Sequence, residues 1–188
     1  MLSSADGVSP AELRTAVSII LRDALPVLEP HQRELHPTQA AAEIPPHITL
    51  VYPFVPRSTL TKEHIRRLED LFRSSGPLEF ELVSVAFFPT VIYAVPMPDA
   101  ELRELMRSLW DAFPETPPYG GEFSDPPPHA TLALVPEGES ADAVARRVEA
   151  QVDYLWPLHC SVTDVSLMEE CETDRWREAQ VFPLGLTD

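Results

Sequence analysis

Basic residues are scarce in this sequence. Its 188 residues carry 30 acidic side chains against 14 Lys and Arg, for a formal net charge of -16 at pH 7, and Lys62 is the only lysine. Long nucleic acids are held chiefly by Lys and Arg neutralising successive phosphates, so an extended nucleic-acid groove is not expected. A small nucleotide or a short oligonucleotide in a closed cleft is compatible with this charge, because a few local hydrogen-bond donors outweigh distant acidic groups. Apolar runs of membrane-spanning length are also missing, which argues against a membrane partner. The first ten residues have neither the basic nor the apolar stretch of a signal peptide, so the expected location is cytoplasmic. Cysteine is sparse as well. Cys160 and Cys171 stand outside any Cys-x-x-Cys motif and read as free thiols in that compartment. The six histidines and two cysteines show no short ligand spacing, so no metal and no other cofactor is expected.

What the sequence does hold is a phrase said twice. Pro45-Pro46-His47-Ile48-Thr49-Leu50 returns as Pro127-Pro128-His129-Ala130-Thr131-Leu132, and both copies run on into apolar residues. Each reads as a strand entered through prolines, which are tolerated at a strand's first position but not in its middle. Side chains alternate along a strand, so His47 and Thr49 share one face while Ile48 and Leu50 enter a core. The second copy places His129 and Thr131 on one face in the same way. An internal repeat of this kind brings equivalent positions together across a pseudo-two-fold axis.

The remaining pattern is that of a single domain over residues 1–188, expected as a monomer, with pseudo-repeated halves at 14–95 and 96–183. Residues 1–13 read as a polar lead-in, 16–21 as a buried strand, 27–35 as a short helix and 36–42 as a connection, with His31 and His36 as solvated loop histidines. Thr61 is an N-cap for a helix whose buried stripe is Ile65, Leu68, Leu71 and Phe72, stopped by Gly76-Pro77. Strands over 78–88 and 91–95 form a hairpin around Pro89-Thr90, followed by a helix over 99–112 with Leu102, Leu105, Met106, Leu109 and Trp110 inward. Residues 114–128 form a Pro- and Gly-rich loop, and Ser140 caps a third helix that turns Ala141, Val144, Val148 and Val152 inward. Residues 158–168 and 176–182 read as a hairpin around a solvated acidic turn at 169–174, which lacks the ligand spacing of a calcium loop. Helices alternating with hairpins give an α+β class with mixed or antiparallel sheets.

Two imidazoles facing one cleft divide the proton transfers of a phosphodiester displacement between them. One, neutral, takes the proton of the attacking oxygen, and the other, protonated, supplies the leaving oxygen. Neighbouring Thr hydroxyls donate to non-bridging oxygens as charge builds on the five-coordinate phosphorus. His47-Ile48-Thr49-Leu50 and His129-Ala130-Thr131-Leu132 resemble the paired His-x-Thr/Ser motifs of the two-histidine (2H) phosphoesterase superfamily, which includes RNA 2',5'-ligase-like proteins and 2',3'-cyclic phosphodiesterases. The likeness extends over residues 15–185 and takes in the Phe88-Pro89 hairpin and the late strands around Trp176.

That resemblance implies a bilobal fold with two pseudo-symmetric sheet-and-helix lobes around a central cleft. It implies metal-independent chemistry, with His47 and His129 catalytic and Thr49 and Thr131 binding substrate. The arginines that accompany these motifs in the RNA-ligase-like members are replaced here by Thr90-Val91-Ile92-Tyr93 and by Leu134. Their loss points away from ligation of tRNA halves and towards a 2',3'-cyclic phosphate or a short 2',5'-linked or cyclic oligonucleotide. The alternative is a module on the same fold that binds a nucleotide or phosphate without turnover.

Overall fold

Thr163 alone separates two strands, Leu158–Val162 and Asp164–Glu170, that stand first and seventh in the order of one eight-stranded sheet. Six strand spacings in a flat sheet cover about 29 Å, whereas one residue advances the chain by at most about 3.6 Å. The sheet is therefore curled, bringing its distant parts together. The computed structural model that shows this describes residues 13–123, 125–171 and 175–185. Of the lead-in expected over residues 1–13, positions 1–12 lie outside the described residues, as do positions 172–174 of the acidic turn, while Leu13 is buried.

In chain order the strands are β1 (Thr15–Ile20), β2 (His47–Val51), β3 (Leu78–Phe87), β4 (Val91–Met97), β5 (Ala130–Leu134), β6 (Leu158–Val162), β7 (Asp164–Glu170) and β8 (Trp176–Pro183). Their spatial order is β6-β3-β4-β5-β2-β1-β7-β8, and every pairing is antiparallel. The two motif strands are central neighbours. Each heads a group of four: β5 with β4, β3 and β6, and β2 with β1, β7 and β8.

The repeat thus occupies the junction between the lobes. The continuous strand expected over 158–168 is instead two strands: β6 pairs with β3, and β7 pairs with β1 and β8. Apolar residues fall at 158, 160 and 162 and then at 165 and 167, so the alternation changes phase across Thr163-Asp164, where the corner lies.

The helices are α1 (Leu25–Leu35), α2 (Pro37–Ala41), α3 (Lys62–Arg73), α4 (Ala100–Ala112) and α5 (Ala141–Val152); α1, α3, α4 and α5 pack against this sheet, and α2 packs on α1. In α3, the Thr61 hydroxyl accepts from the His64 amide while the His64 ring accepts from the Thr61 amide, so two otherwise orphaned donors are satisfied. Its stripe buries Leu68 and Phe72 completely, and each such side chain contributes about 1.5–3 kcal/mol through removal from water. Ser140 occupies the N-cap of α5 without a capping bond from its side chain.

Two sequence expectations in the first lobe change. Residues 37–41 form α2 rather than a plain connection, and His36 caps it by accepting from the Gln39 amide. His31 lies within α1, its Nε2 2.9 Å from the Tyr154 hydroxyl.

The main core lies on one face of the sheet and contains Val17, Ile19, Ile48, Leu50, Leu82, Ile92 and residues from every long helix. A second, smaller cluster lies on the opposite face of β1. Ala16, Ile20 and Met168 pack there with Leu25, Tyr52 and Trp176. This explains why all six residues of β1 are buried: its odd positions enter the main core and its even positions form the floor of a cleft.

Candidate active site

Ile48 of β2 lies directly opposite Ala130 of β5, and both are buried. Alternation then turns His47 and Thr49 to the other face of the sheet, where His129 and Thr131 also stand. Continuing the antiparallel register sets His47 across from Thr131 and Thr49 across from His129. Opposed residues have Cβ atoms about 4.5–5.5 Å apart, and diagonal ones about 7–8 Å. The four sequence-predicted residues are thus brought to one face, with the two histidines on a diagonal. That separation suits two groups flanking one phosphorus atom.

Neighbouring elements hold these strands in place. The Trp110 indole of α4 donates to the Leu50 carbonyl at 2.8 Å, and the Leu21 amide donates to the Pro46 carbonyl at 3.0 Å. The prolines before each motif contribute more than strand entry. His47 Nδ1 is 2.8 Å from the Pro45 carbonyl, and His129 Nδ1 is 2.8 Å from the Pro127 carbonyl. A carbonyl only accepts, so in each ring Nδ1 carries the proton and donates. Nε2 is left as the lone-pair nitrogen for proton transfer.

Burial lowers the pKa of both imidazoles. For His47, desolvation is the largest influence, the Pro45 hydrogen bond opposes it, and the nearby charges of His129 and His36 lower it further. For His129, desolvation again outweighs the opposing bond to Pro127. Each ring is therefore biased towards the neutral form that accepts a proton.

The surroundings of the two rings differ. Phe88 and Tyr93 stack with centroids 4.4 Å apart, and His129 meets both edge-on at 5.2 and 5.4 Å. Beside His47 and Thr49 lies a cleft of about 310 Å³, lined also by Arg14, Ser18, Gln39, Tyr52, Met168 and Trp176. The Trp176 amide donates to the Ala42 carbonyl at 2.8 Å, which ties β8 to the segment after α2 and closes that wall.

Arg14 is fixed by a carboxylate that the sequence reading placed in a solvated turn. Glu170 is 1% exposed, lies in β7, and receives the Arg14 amide at 3.1 Å and Nε at 2.8 Å, together with Nη2. These hydrogen bonds hold its carboxyl below the usual range. Glu169 is also buried, with Arg57 and Arg177 as its ion-pair partners. Arg14 and Gln39 carried no sequence signal for the cleft. Arg14 meets its partner across 156 residues of chain, and Gln39 stands in an unremarkable polar segment.

Among the described residues, no group of three or more His, Cys, Asp or Glu side chains is arranged to hold a metal ion. Among the same residues, no helix is long and apolar enough to cross a membrane.

In sequence, no curated protein matches the chain. Solved structures of similar fold include TT0787 of Thermus thermophilus, with a TM-score of 0.60 at 15% identity over 93% of this chain and 100% of that one. A phosphoesterase aligns with a TM-score of 0.60 at 16% identity, over 93% of this chain and 99% of the other. E. coli LigT in complex with 3'-AMP gives 0.56 at 16% identity, with the same coverages of 93% and 99%. At these identities the likeness establishes the curled two-lobed fold. Family membership comes from the sequence itself. The model of the 2'-5' RNA ligase superfamily matches residues 21–174, a span that holds both His-x-Thr strands, and the chain belongs to that superfamily.

Proposed function

We propose that the protein is a metal-independent phosphodiesterase that opens a 2',3'-cyclic phosphate, or cuts a short 2',5'-linked or cyclic oligonucleotide, by acid-base catalysis between His47 and His129. The observation that carries this reading is the matched anchoring of the two rings. Each Nδ1 is held by the carbonyl two residues upstream, and each ring lies on the face that also carries a Thr.

In this mechanism one neutral imidazole removes a proton from water as the oxygen attacks phosphorus. The other, entering protonated, delivers its proton to the departing ribose oxygen. Thr49 and Thr131 donate to the non-bridging oxygens, where negative charge increases in the transition state. Proton transfer and charge stabilisation are both supplied by these four side chains, so the mechanism has no step that requires a divalent ion.

LigT has been crystallised with 3'-AMP, a nucleoside monophosphate, which fits a small nucleotide as the substrate class. The test is incubation of the purified protein with nucleoside 2',3'-cyclic phosphates in excess EDTA. Ring opening to a single phosphomonoester is expected. A protein that binds nucleotide without turnover would instead be a binding module, and activity abolished by EDTA and restored by a divalent ion would require different chemistry.

A further inference from the structure

The cleft beside His47 differs from an anion site in three ways. Its floor is the apolar cluster of Ala16, Ile20 and Met168. One wall is made of flat groups: Tyr52 and Trp176 lie at 6.1 Å and 59° to one another, with the Arg14 guanidinium carbon 5.8 and 5.9 Å from their centroids. The positive charge in this wall is already matched by the buried Glu170 carboxylate, and another Arg14 N–H is given to the Tyr52 hydroxyl at 2.6 Å.

Polar groups at the rim have a fixed sense. Buried Gln32 donates to the Gln39 side-chain carbonyl at 3.0 Å and to the Ile44 carbonyl at 3.0 Å. With its oxygen so engaged, Gln39 has its amide N–H₂ group left to donate. Tyr52, accepting from Arg14, retains its own O–H for donation.

The geometry points to this cleft as a subsite for an uncharged heteroaromatic ring of the nucleobase kind, carried by the phosphodiester that reacts at His47 and His129. The inference rests on the phosphodiesterase reading of the adjacent site and adds where, and by which residues, the organic part of the substrate is selected. A flat ring finds apolar floor, aromatic wall and donors to its ring nitrogens or carbonyls, whereas a second phosphate finds no unpaired cation. The aromatic pair on the other side does not offer an equivalent place. Phe88 and Tyr93 cover one face of each other at 4.4 Å and both also contact the His129 ring.

Calorimetric titration of the whole protein with inorganic phosphate, pyrophosphate and uridine 3'-monophosphate tests this directly. The nucleotide is expected to bind about 10-fold or more tighter than phosphate, as stacking of one base supports, while pyrophosphate gains no comparable advantage. Trp176→Leu should remove most of the nucleotide's advantage and leave phosphate affinity unchanged. Gln39→Leu, on a partly exposed helix, should weaken nucleotide binding by a few-fold and serves if the Trp176 variant does not fold. Pyrophosphate binding as tightly as the nucleotide, or a nucleotide advantage that is absent or survives both substitutions, overturns the subsite. Turnover of a cyclic phosphate is measured separately. Ring preference without turnover removes the phosphodiesterase reading alone, and turnover without ring preference removes the subsite alone.

Discussion

His47 and His129 sit in backbone frames that match, each two residues beyond the proline carbonyl that holds its Nδ1. Beyond the rings the two lobes part ways. The His129 side is closed by Phe88 and Tyr93, which stack on one another and press edge-on against the imidazole. The His47 side opens into a cleft whose Arg14, Tyr52 and Trp176 meet each other around unfilled volume. Repetition in this molecule therefore extends as far as the groups proposed to move protons. The space that would decide which substrate arrives is built once, on one side.

The strongest way to break the proposed equivalence is to remove the rings in turn. His47→Ala and His129→Ala are each expected to lower kcat for a cyclic phosphate by about 10²-fold or more, with the double variant little worse than the worse single. A single substitution that left the rate intact would confine catalysis to one half of the pair. The open side should prove the more sensitive in stability. Arg14→Met leaves Glu170 buried without its partner, at a cost of about 2–4 kcal/mol seen as a lower denaturant midpoint. Because Glu170 has a lowered pKa when folded, the wild-type advantage is present above the ordinary carboxylate range and is lost as pH falls through the folded value. The gap between the two proteins should accordingly narrow in acid.

The hydroxyls offer a finer comparison. Thr49→Val and Thr131→Val should each reduce turnover by about 10- to 10²-fold, because one transition-state hydrogen bond is removed and proton transfer is retained. Unequal losses would show that the two non-bridging oxygens are held differently, Thr49 lying at the open cleft and Thr131 opposite Tyr93.

The pair was legible in the sequence because strand alternation and a proline-led repeat are local signals, and they placed His47, Thr49, His129 and Thr131 on shared faces. The periodicity of α3 and α4 was legible for the same reason. Glu170 was misread because an acidic stretch resembles a solvated turn until Arg14, 156 positions away, is seen against it. The corner at Thr163 is marked only by a change of phase in the apolar alternation across Thr163-Asp164, which a β-bulge within one strand would also produce. Sheet order decides that point, and order depends on pairing partners far along the chain. Gln39 illustrates a third kind of loss. Its orientation comes from Gln32 and Ile44, and nothing in its own segment marks it.

The smallest expected effect is also the one that separates the roles of the two rings. Desolvation is the main cause of the lowered His129 pKa, and Phe88 supplies part of the apolar surface around that ring. Phe88→Leu admits water there, so the His129 pKa should rise towards its ordinary value, with little change in the maximum rate. The pH profile of kcat/KM is expected to be bell-shaped, since one imidazole must be neutral while the other is protonated. If His129 is the base, its higher pKa makes it protonate sooner on acidification, and the acidic limb moves up. If it is the acid, it keeps its proton to higher pH, and the basic limb moves up instead. Where the base is the group of lower pKa, the limb that shifts thus assigns the proton that the repeated sequence leaves symmetric. A shift downwards would mean that the Phe88 ring stabilises the imidazolium electrostatically more than it desolvates it, and the closed lobe would then be holding the charged form of His129.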